Sequence, residues 1–174
     1  KNEHKIESMA HLTCIGHTRE ELDDMLSRMK ALGIENILAL RGDFPAGFEG
    51  AGSAGAYSYA YELVSHIRHA GGFCIGAAAY VEGHVDSKRL SEDLKYLKEK
   101  VDAGVDFLIT QLFFDNRLFY DFLEKAERIG IKCPVSAGIM PIFRADQIKS
   151  ITAKSGCSIP AKLVLMMDKY SDSP

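Results

Sequence analysis

Apolar residues along the chain fall into two alternating patterns. Short, nearly continuous runs rich in small and β-branched residues cover His11–Ile15, Asn36–Leu40, Phe73–Ala78, Asp106–Thr110 and Pro134–Ala137. Between these runs, apolar positions recur three and four apart, the period of an amphipathic helix. Thr18–Gly33 shows it most clearly: Leu22, Met25, Leu26 and Met29 share one face. Thr18 and Glu21 have the spacing of a capping box, and Gly33 supplies a helix stop. The same period predicts helices over Ser58–Ala70, Ser91–Ala103, Asn116–Ile129, Ala145–Ala153 and Ala161–Lys169. Strands that are apolar without polar alternation are buried on both faces. A parallel sheet covered by helices follows.

Two architectures satisfy that pattern, a (βα)8 barrel and an open doubly wound sheet. Polar residues decide between them. They stand after successive strands, as Arg41-Gly42-Asp43, Tyr80 to His84 and Gln111 to Asp115. A barrel assembles its site from the C-terminal ends of all its strands, whereas an open sheet concentrates it at one switch point. The TIM barrel is therefore expected. Five strands do not close eight, and a barrel takes about 250 residues. Residues 1–174 read as a single domain that is an incomplete portion of such a barrel. Produced alone, it is expected to associate through exposed strand edges.

Composition narrows the function. The chain has 174 residues, 47% hydrophobic and 26% charged, with a formal net charge of −3. It has no basic stripe, which argues against nucleic acid as a partner. No run approaches the roughly 18 apolar residues of a membrane helix, and KNEHKIESMA is not a secretory signal. The four cysteines, Cys14, Cys74, Cys133 and Cys157, are widely spaced and read as small buried hydrophobes of a reducing compartment. His66 and His69 lack further ligands in metal spacing, so no metal site is expected. Gly50–Gly55 matches G-x-G-x-x-G, but Pro45 and several other residues separate it from its strand. No acidic residue ends the following strand to hold a ribose, so this is a glycine-rich loop.

Three strand exits carry candidate chemistry. Arg41-Gly42-Asp43 places a guanidinium and a carboxylate where neutral turn residues are usual; a mutual ion pair is the plain alternative. A cell-adhesion role for this triplet would need an extracellular loop. Tyr80 and His84 offer an aromatic hydroxyl and an imidazole to a flat, polar-edged ligand, or simply form a surface loop. Gln111 offers a donor and an acceptor side by side, suited to a heterocycle's edge. Phe113 and Phe114 follow, and alternation turns one of the two to the mouth. Lys98 and Lys100 end a helix, where a solvated face is usual, although one could reach a phosphate.

Taken in order, HLTC (His11–Cys14), ALRGDFP (Ala39–Pro45), the Tyr59-Ala60 pair, AAYVEGH, DLKYLKEKVDAGVDFLITQLFFD (Asp93–Asp115) and CPVSAGIMPI (Cys133–Ile142) resemble methylenetetrahydrofolate reductases over nearly the whole chain. LRGD and TQLFFD at this spacing carry most of the likeness. The resemblance implies a flavin-dependent barrel in which NADH or NADPH reduces FAD. Reduced FAD then passes a hydride to 5,10-methylenetetrahydrofolate, giving the 5-methyltetrahydrofolate of one-carbon metabolism and methionine supply. It also implies a cytoplasmic enzyme that forms a homo-oligomer when complete. By motif, FAD contacts fall on His11, Arg41, Gly42, Asp43, Tyr59, Ala60, Ala78, Tyr80, His84, Ser87, Asp93 and Lys100. Asp43 and Gln111 become the catalytic pair and, with Phe114, touch folate.

The chemistry suits those roles. A carboxylate near the reacting centre favours the cationic iminium through which the folate must react, worth roughly 4 kcal/mol at about 4 Å and an effective dielectric near 20. Some positions depart from the family pattern: Val81 and Val85-Asp86 stand where proline and Pro-Glu are usual, and Ser136-Ala137 replace an apolar-proline pair. The glutamate proton donor of the family's first strand and an arginine-bearing last loop have no counterpart in this chain, so residues 1–174 alone are expected to lack useful reductase activity. A non-catalytic flavin- or folate-binding relative is the alternative. A Schiff-base aldolase barrel ranks last, because no predicted strand ends in lysine.

Overall fold

Five strands alternate with helices along the chain in a computed structural model. It describes residues 5–43, 55–85, 87, 89–142, 147–148, 151–152 and 155–170. The strands are β1 (Met9–Thr13), β2 (Asn36–Leu40), β3 (Cys74–Ala79), β4 (Phe107–Thr110) and β5 (Val135–Ser136). The helices are α1 (Arg19–Ala31), α2 (Ala60–Ala70), α3 (Leu90–Asp102), α4 (Asn116–Arg128) and α5 (Ala161–Lys169). Of the helix expected at Ala145–Ala153, residues 147–148 and 151–152 are helical and the others lie outside the described residues.

The strands form one sheet in the order β1-β2-β3-β4-β5. β1 pairs parallel with β2, from Met9 opposite Asn36 to Thr13 opposite Leu40, and β2 pairs parallel with β3. Between β3 and β4, Asp106 N donates to Ile75 O and Gln111 N to Ala79 O, so the pairing advances the same way along both strands. A doubly wound sheet reverses its strand order at the switch point. Here the order never reverses, as a segment of TIM barrel requires.

The chain divides into two compact units, Lys1–Ala78 with Glu99–Leu108 and Ala79–Lys98 with Ile109–Pro174. In the first, Leu22 and Leu26 of α1, Ile37 and Ala39 of β2, Leu63 and Ile67 of α2 and Ile75 of β3 are all buried. The capping box forms as expected: Glu21 N donates to Thr18 Oγ1 at 3.2 Å and Thr18 N to Glu21 Oε2 at 2.8 Å. Gly33 then ends the helix at φ 71°. Asp106, the residue before β4, ties β3 to α2. Its Oδ2 accepts from Ile75 N at 2.8 Å and from Arg68 Nη2 at 2.7 Å. In the second unit, Leu94 and Leu97 of α3 and Phe122 and Ala126 of α4 are buried.

The boundaries moved in places. β1 begins two residues earlier than its apolar run, because Asn36 pairs with Met9 and its Nδ2 donates to Ser8 O at 3.2 Å. β5 keeps only Val135 and Ser136. Cys14 and Cys157 are buried and Cys133 half-buried, but Cys74 is exposed at the start of β3, which corrects the reading of that cysteine as buried. Among the described residues, no helix is long and apolar enough to cross a membrane. His66 Nδ1 lies 2.8 Å from Tyr57 OH and His69 Nδ1 2.7 Å from Ser65 O.

Candidate functional site

In the first unit the chemistry begins where β2 leaves the sheet. The Arg41 carbonyl accepts from Cys14 N at 3.2 Å, from Ile15 N at 3.0 Å and from Cys14 Sγ at 3.4 Å. The strand exit is thus stitched to the exit of β1, past the last ladder pair. Burial pushes the Cys14 thiol pKa up, keeping it a neutral donor in this stitch. Gly42 follows with φ 86°, and a Cβ there would meet the Thr13 Cβ at 3.0 Å and Cγ2 at 3.2 Å. The close approach anticipated at Gly42 is therefore made, at least in part, by a side chain of β1. Asp43 emerges exposed, while Arg41 is half-buried.

Gly42→Ala should consequently destabilise the fold by about 1–3 kcal/mol, the usual cost of forcing a side chain into a left-handed, crowded position. Denaturant titration measures it. A midpoint equal to that of the unmodified protein would show that Thr13 and the backbone yield without strain.

Other positions singled out in this unit are placed as follows. His11 is exposed on β1, on the same face as Thr13 two residues on. Lys100 Nζ donates to Ala78 O at 2.6 Å, so the helix lysine holds a carbonyl near the end of β3. Tyr59 precedes α2, 58% exposed, with its ring stacked on Tyr61 at 6.1 Å. Ala60 is the first residue of α2. The main-chain N–H groups of Ser58 and Tyr59 both donate to Glu62 Oε2 at 2.9 Å. That carboxylate occupies donors an anion could otherwise use.

In the second unit the loop after β3 is built around a buried carboxylate. Asp93 is only 8% exposed; its Oδ1 accepts from Ser87 Oγ at 2.9 Å and from His84 N at 3.3 Å. Ser87 N donates in turn to His84 O at 2.9 Å. Gly83, at φ 90°, closes a turn back to Tyr80 O. The Tyr80 and His84 rings meet edge to face with centroids 4.7 Å apart. Tyr80, His84, Ser87 and Asp93 are thus brought together, with Asp93 beneath the loop. Asp86 lies outside the described residues, as do Pro45 and Gly50–Ala54. Val81 is buried, and the loop forms without the proline usual in the family.

Gln111 leaves β4 with its N–H on Ala79 O at 2.7 Å. Its Oε1 accepts from Leu112 N at 2.9 Å, so one of the carboxamide oxygen's two lone pairs is engaged within the chain. Phe113 stacks on Phe119 of α4 at 5.0 Å, and Phe114 is half-buried. Asp115 closes the TQLFFD run as the N-cap of α4, accepting from Arg117 N at 2.9 Å. Hydrogen bonds from the Arg117 side chain and backbone hold the Asp115 carboxyl below its ordinary pKa.

Tyr80, Val81, Glu82, Gly83, Gln111, Leu112, Ser155 and Cys157 line a small cleft open to solvent. Glu82, Ser155 and Cys157 went unassigned in the sequence. Glu82 lies inside the AAYVEGH motif, but nothing local pairs it with Ser155 and Cys157, more than seventy positions on.

The methylenetetrahydrofolate reductase family model matches residues 1–174. The chain belongs to that family. A rice protein described as a probable methylenetetrahydrofolate reductase (NADH) is 41% identical over 97% of this chain and 30% of its own length. A Caenorhabditis elegans relative described as probable methylenetetrahydrofolate reductase (NADPH) is 38% identical over 91% of this chain and 24% of its own. The 5,10-methylenetetrahydrofolate reductase of Pectobacterium carotovorum is 35% identical over 97% of this chain and 55% of its own. The chain thus spans between about a quarter and about half of these relatives' lengths.

Solved structures support the fold. An uncharacterized Clostridium thermocellum protein that binds two copies of 5-methyl-5,6,7,8-tetrahydrofolic acid aligns with TM-score 0.59 at 19% identity, over 95% of this chain and 54% of the other. Dihydrodipicolinate synthase from Rhodopseudomonas palustris aligns with TM-score 0.51 at 12% identity, over 93% of this chain and 57% of its own.

Proposed function

We propose that the protein reduces 5,10-methylenetetrahydrofolate to 5-methyltetrahydrofolate at the expense of NADH or NADPH, with FAD as its resident cofactor. The observation that carries this reading is the family match over residues 1–174, which spans all three motif-bearing strand exits. The donor set fits a flavin dinucleotide in kind. Arg41 and Lys100 suit its phosphates, Tyr80 and His84 suit a flat polar-edged ring, and Gly42 and Ala78 join them by motif. His11, Tyr59, Ala60, Asp43, Ser87 and Asp93 complete the proposed set. When bound, FAD supplies the two-electron relay between nicotinamide and folate.

The chain's own residues have narrower tasks. Asp43 supplies negative charge toward the cationic iminium form of the substrate, stabilising charge that develops as the methylene bridge opens. Gln111 reads the folate through its carboxamide, and Phe114 offers an apolar contact. Asp93 holds the His84–Ser87 loop, and Lys100 holds the β3 exit through Ala78.

The visible spectrum of the purified protein tests the cofactor: flavin bands, released on denaturation, are expected. Folate-dependent oxidation of NADH or NADPH by the complete protein, with 5-methyltetrahydrofolate identified by mass, tests the reaction. A protein that takes up no flavin after reconstitution with FAD would overturn the reading. One that binds flavin and folate without turnover would be the binding-only relative.

Gln111→Ala should weaken folate binding by about 1–3 kcal/mol, the cost of leaving a buried polar partner unmade. Calorimetric titration with folate measures this, and unchanged affinity would remove Gln111 from the subsite.

A further inference from the structure

Two loops of the second unit, far apart in sequence, interlock beside the cleft. The Glu82 carboxylate takes Ser158 N with both oxygens, at 3.0 and 3.1 Å. Three residues on, the Val85 Cγ1 lies 2.5 Å from where a Cβ on Gly156 would stand. Gly156 itself has φ 70°. The turn between carries Ser155 and Cys157, 7% and 8% exposed, with Ser155 Oγ donating to Cys157 Sγ at 3.0 Å. Both line the cleft with Gln111.

A carboxylate on a backbone N–H is a charge-assisted hydrogen bond, about twice as strong as a neutral one. The side-chain bonds described for the 155–158 turn itself are weak thiol and hydroxyl contacts. Glu82 is therefore the strongest described bond holding this wall to the Tyr80–His84 loop. Ser155 and Cys157 share the cleft lining with Gln111, so a shift of this wall changes the surface beside the Gln111 carboxamide. No ligand contact is needed for such a role.

We propose that Glu82 is a positioning residue of the folate subsite. Its carboxylate fixes the 155–158 turn as the cleft wall against which the folate ring is held toward Gln111. This rests on the folate reading above.

The test uses the complete, purified and FAD-replete protein, not residues 1–174 alone, with Glu82→Ala and Glu82→Gln beside the unmodified form. Cysteine alkylation is followed peptide by peptide, with buried Cys14 as internal control. In Glu82→Ala, Cys157 should alkylate about tenfold faster, and the KM for methylenetetrahydrofolate should rise about tenfold, in keeping with loss of a charge-assisted bond. Glu82→Gln keeps the volume and one carbonyl acceptor, and should raise KM about threefold with Cys14 unchanged. Cys157 alkylation at the unmodified rate overturns the proposal, as does faster alkylation with an unchanged KM. If the alanine variant unfolds, shown by faster alkylation of Cys14, a normal KM in Glu82→Gln overturns it. Unmodified protein without folate-dependent turnover refutes the folate reading instead, and the alkylation comparison then still decides whether Glu82 holds the turn.

Discussion

In the complete protein, Asp43→Asn is expected to slow turnover with methylenetetrahydrofolate by about a hundredfold, while oxidation of the nicotinamide by an artificial quinone acceptor changes only a few-fold. Removing one preorganised electrostatic stabiliser typically costs about 10²–10³ in rate. Asp43 is exposed, so solvent and salt screen part of its charge, and the lower end of that range applies. Asparagine keeps the size and one oxygen and removes only the charge. The fold should tolerate it, because what holds this exit is main chain: the Arg41 carbonyl on Cys14 and Ile15, and Gly42 against Thr13. Rapid-reaction kinetics of the two half-reactions make the measurement. Equal slowing of both would show that Asp43 positions ligands and does not stabilise the iminium. Raising the ionic strength should shrink the difference between aspartate and asparagine, since a screened charge has less to lose.

The sheet was legible because its physics is local. Strands of a parallel sheet are covered on both faces, so they appear as apolar runs, and Ile37, Leu38 and Ala39 are buried together. Helices betray themselves by period: Leu22 with Leu26, and Leu94 with Leu97, are the buried pairs of α1 and α3. The strand exits were legible for the same reason, since each occupies a few consecutive residues. Arg41, Tyr80 and Gln111 stand at the C-terminal ends of β2, β3 and β4, where the runs break.

What the sequence hid depends on register between distant residues. Nothing local says that Glu82 meets Ser158, 76 positions on. Nor does Gly76, mid-run in β3, disclose that the Phe107 ring packs where its Cβ would be, 2.5 Å from Cζ. Gln111 was read as offering donor and acceptor together; its oxygen turns back to Leu112 N, a choice set by local backbone direction. Asp115, final residue of the TQLFFD signature, is a helix cap. Family motifs mix structural and chemical residues without distinguishing them, and only the placed hydrogen bonds separate the two.

The largest stability effect should come from Gly138, a residue with no chemical role. It follows β5 and donates its N–H to Thr110 Oγ1 at 2.9 Å. A Cβ on Gly138 would run into the Thr110 carbonyl oxygen, and would also stand 3.1 Å from the carbonyl carbon. Both obstacles are backbone at the end of β4, so no side-chain rotamer relieves them. Either β5 must draw away from β4 or the Thr110 peptide must turn, and Gln111 follows directly on that peptide. Gly138→Ala should therefore cost at least about 4 kcal/mol, the range reached only by severe overpacking or loss of a buried network. Gly33→Ala makes the contrast: at φ 71° it meets nothing within 4 Å, so it should cost only the conformational strain of about 1–2 kcal/mol. Thermal unfolding of the two variants side by side separates overlap from strain. Gly138→Ala melting within a degree or two of Gly33→Ala would mean that the β4 and β5 exits part easily. The close seating of Gly138 on Thr110 would then contribute little to holding Gln111 in place.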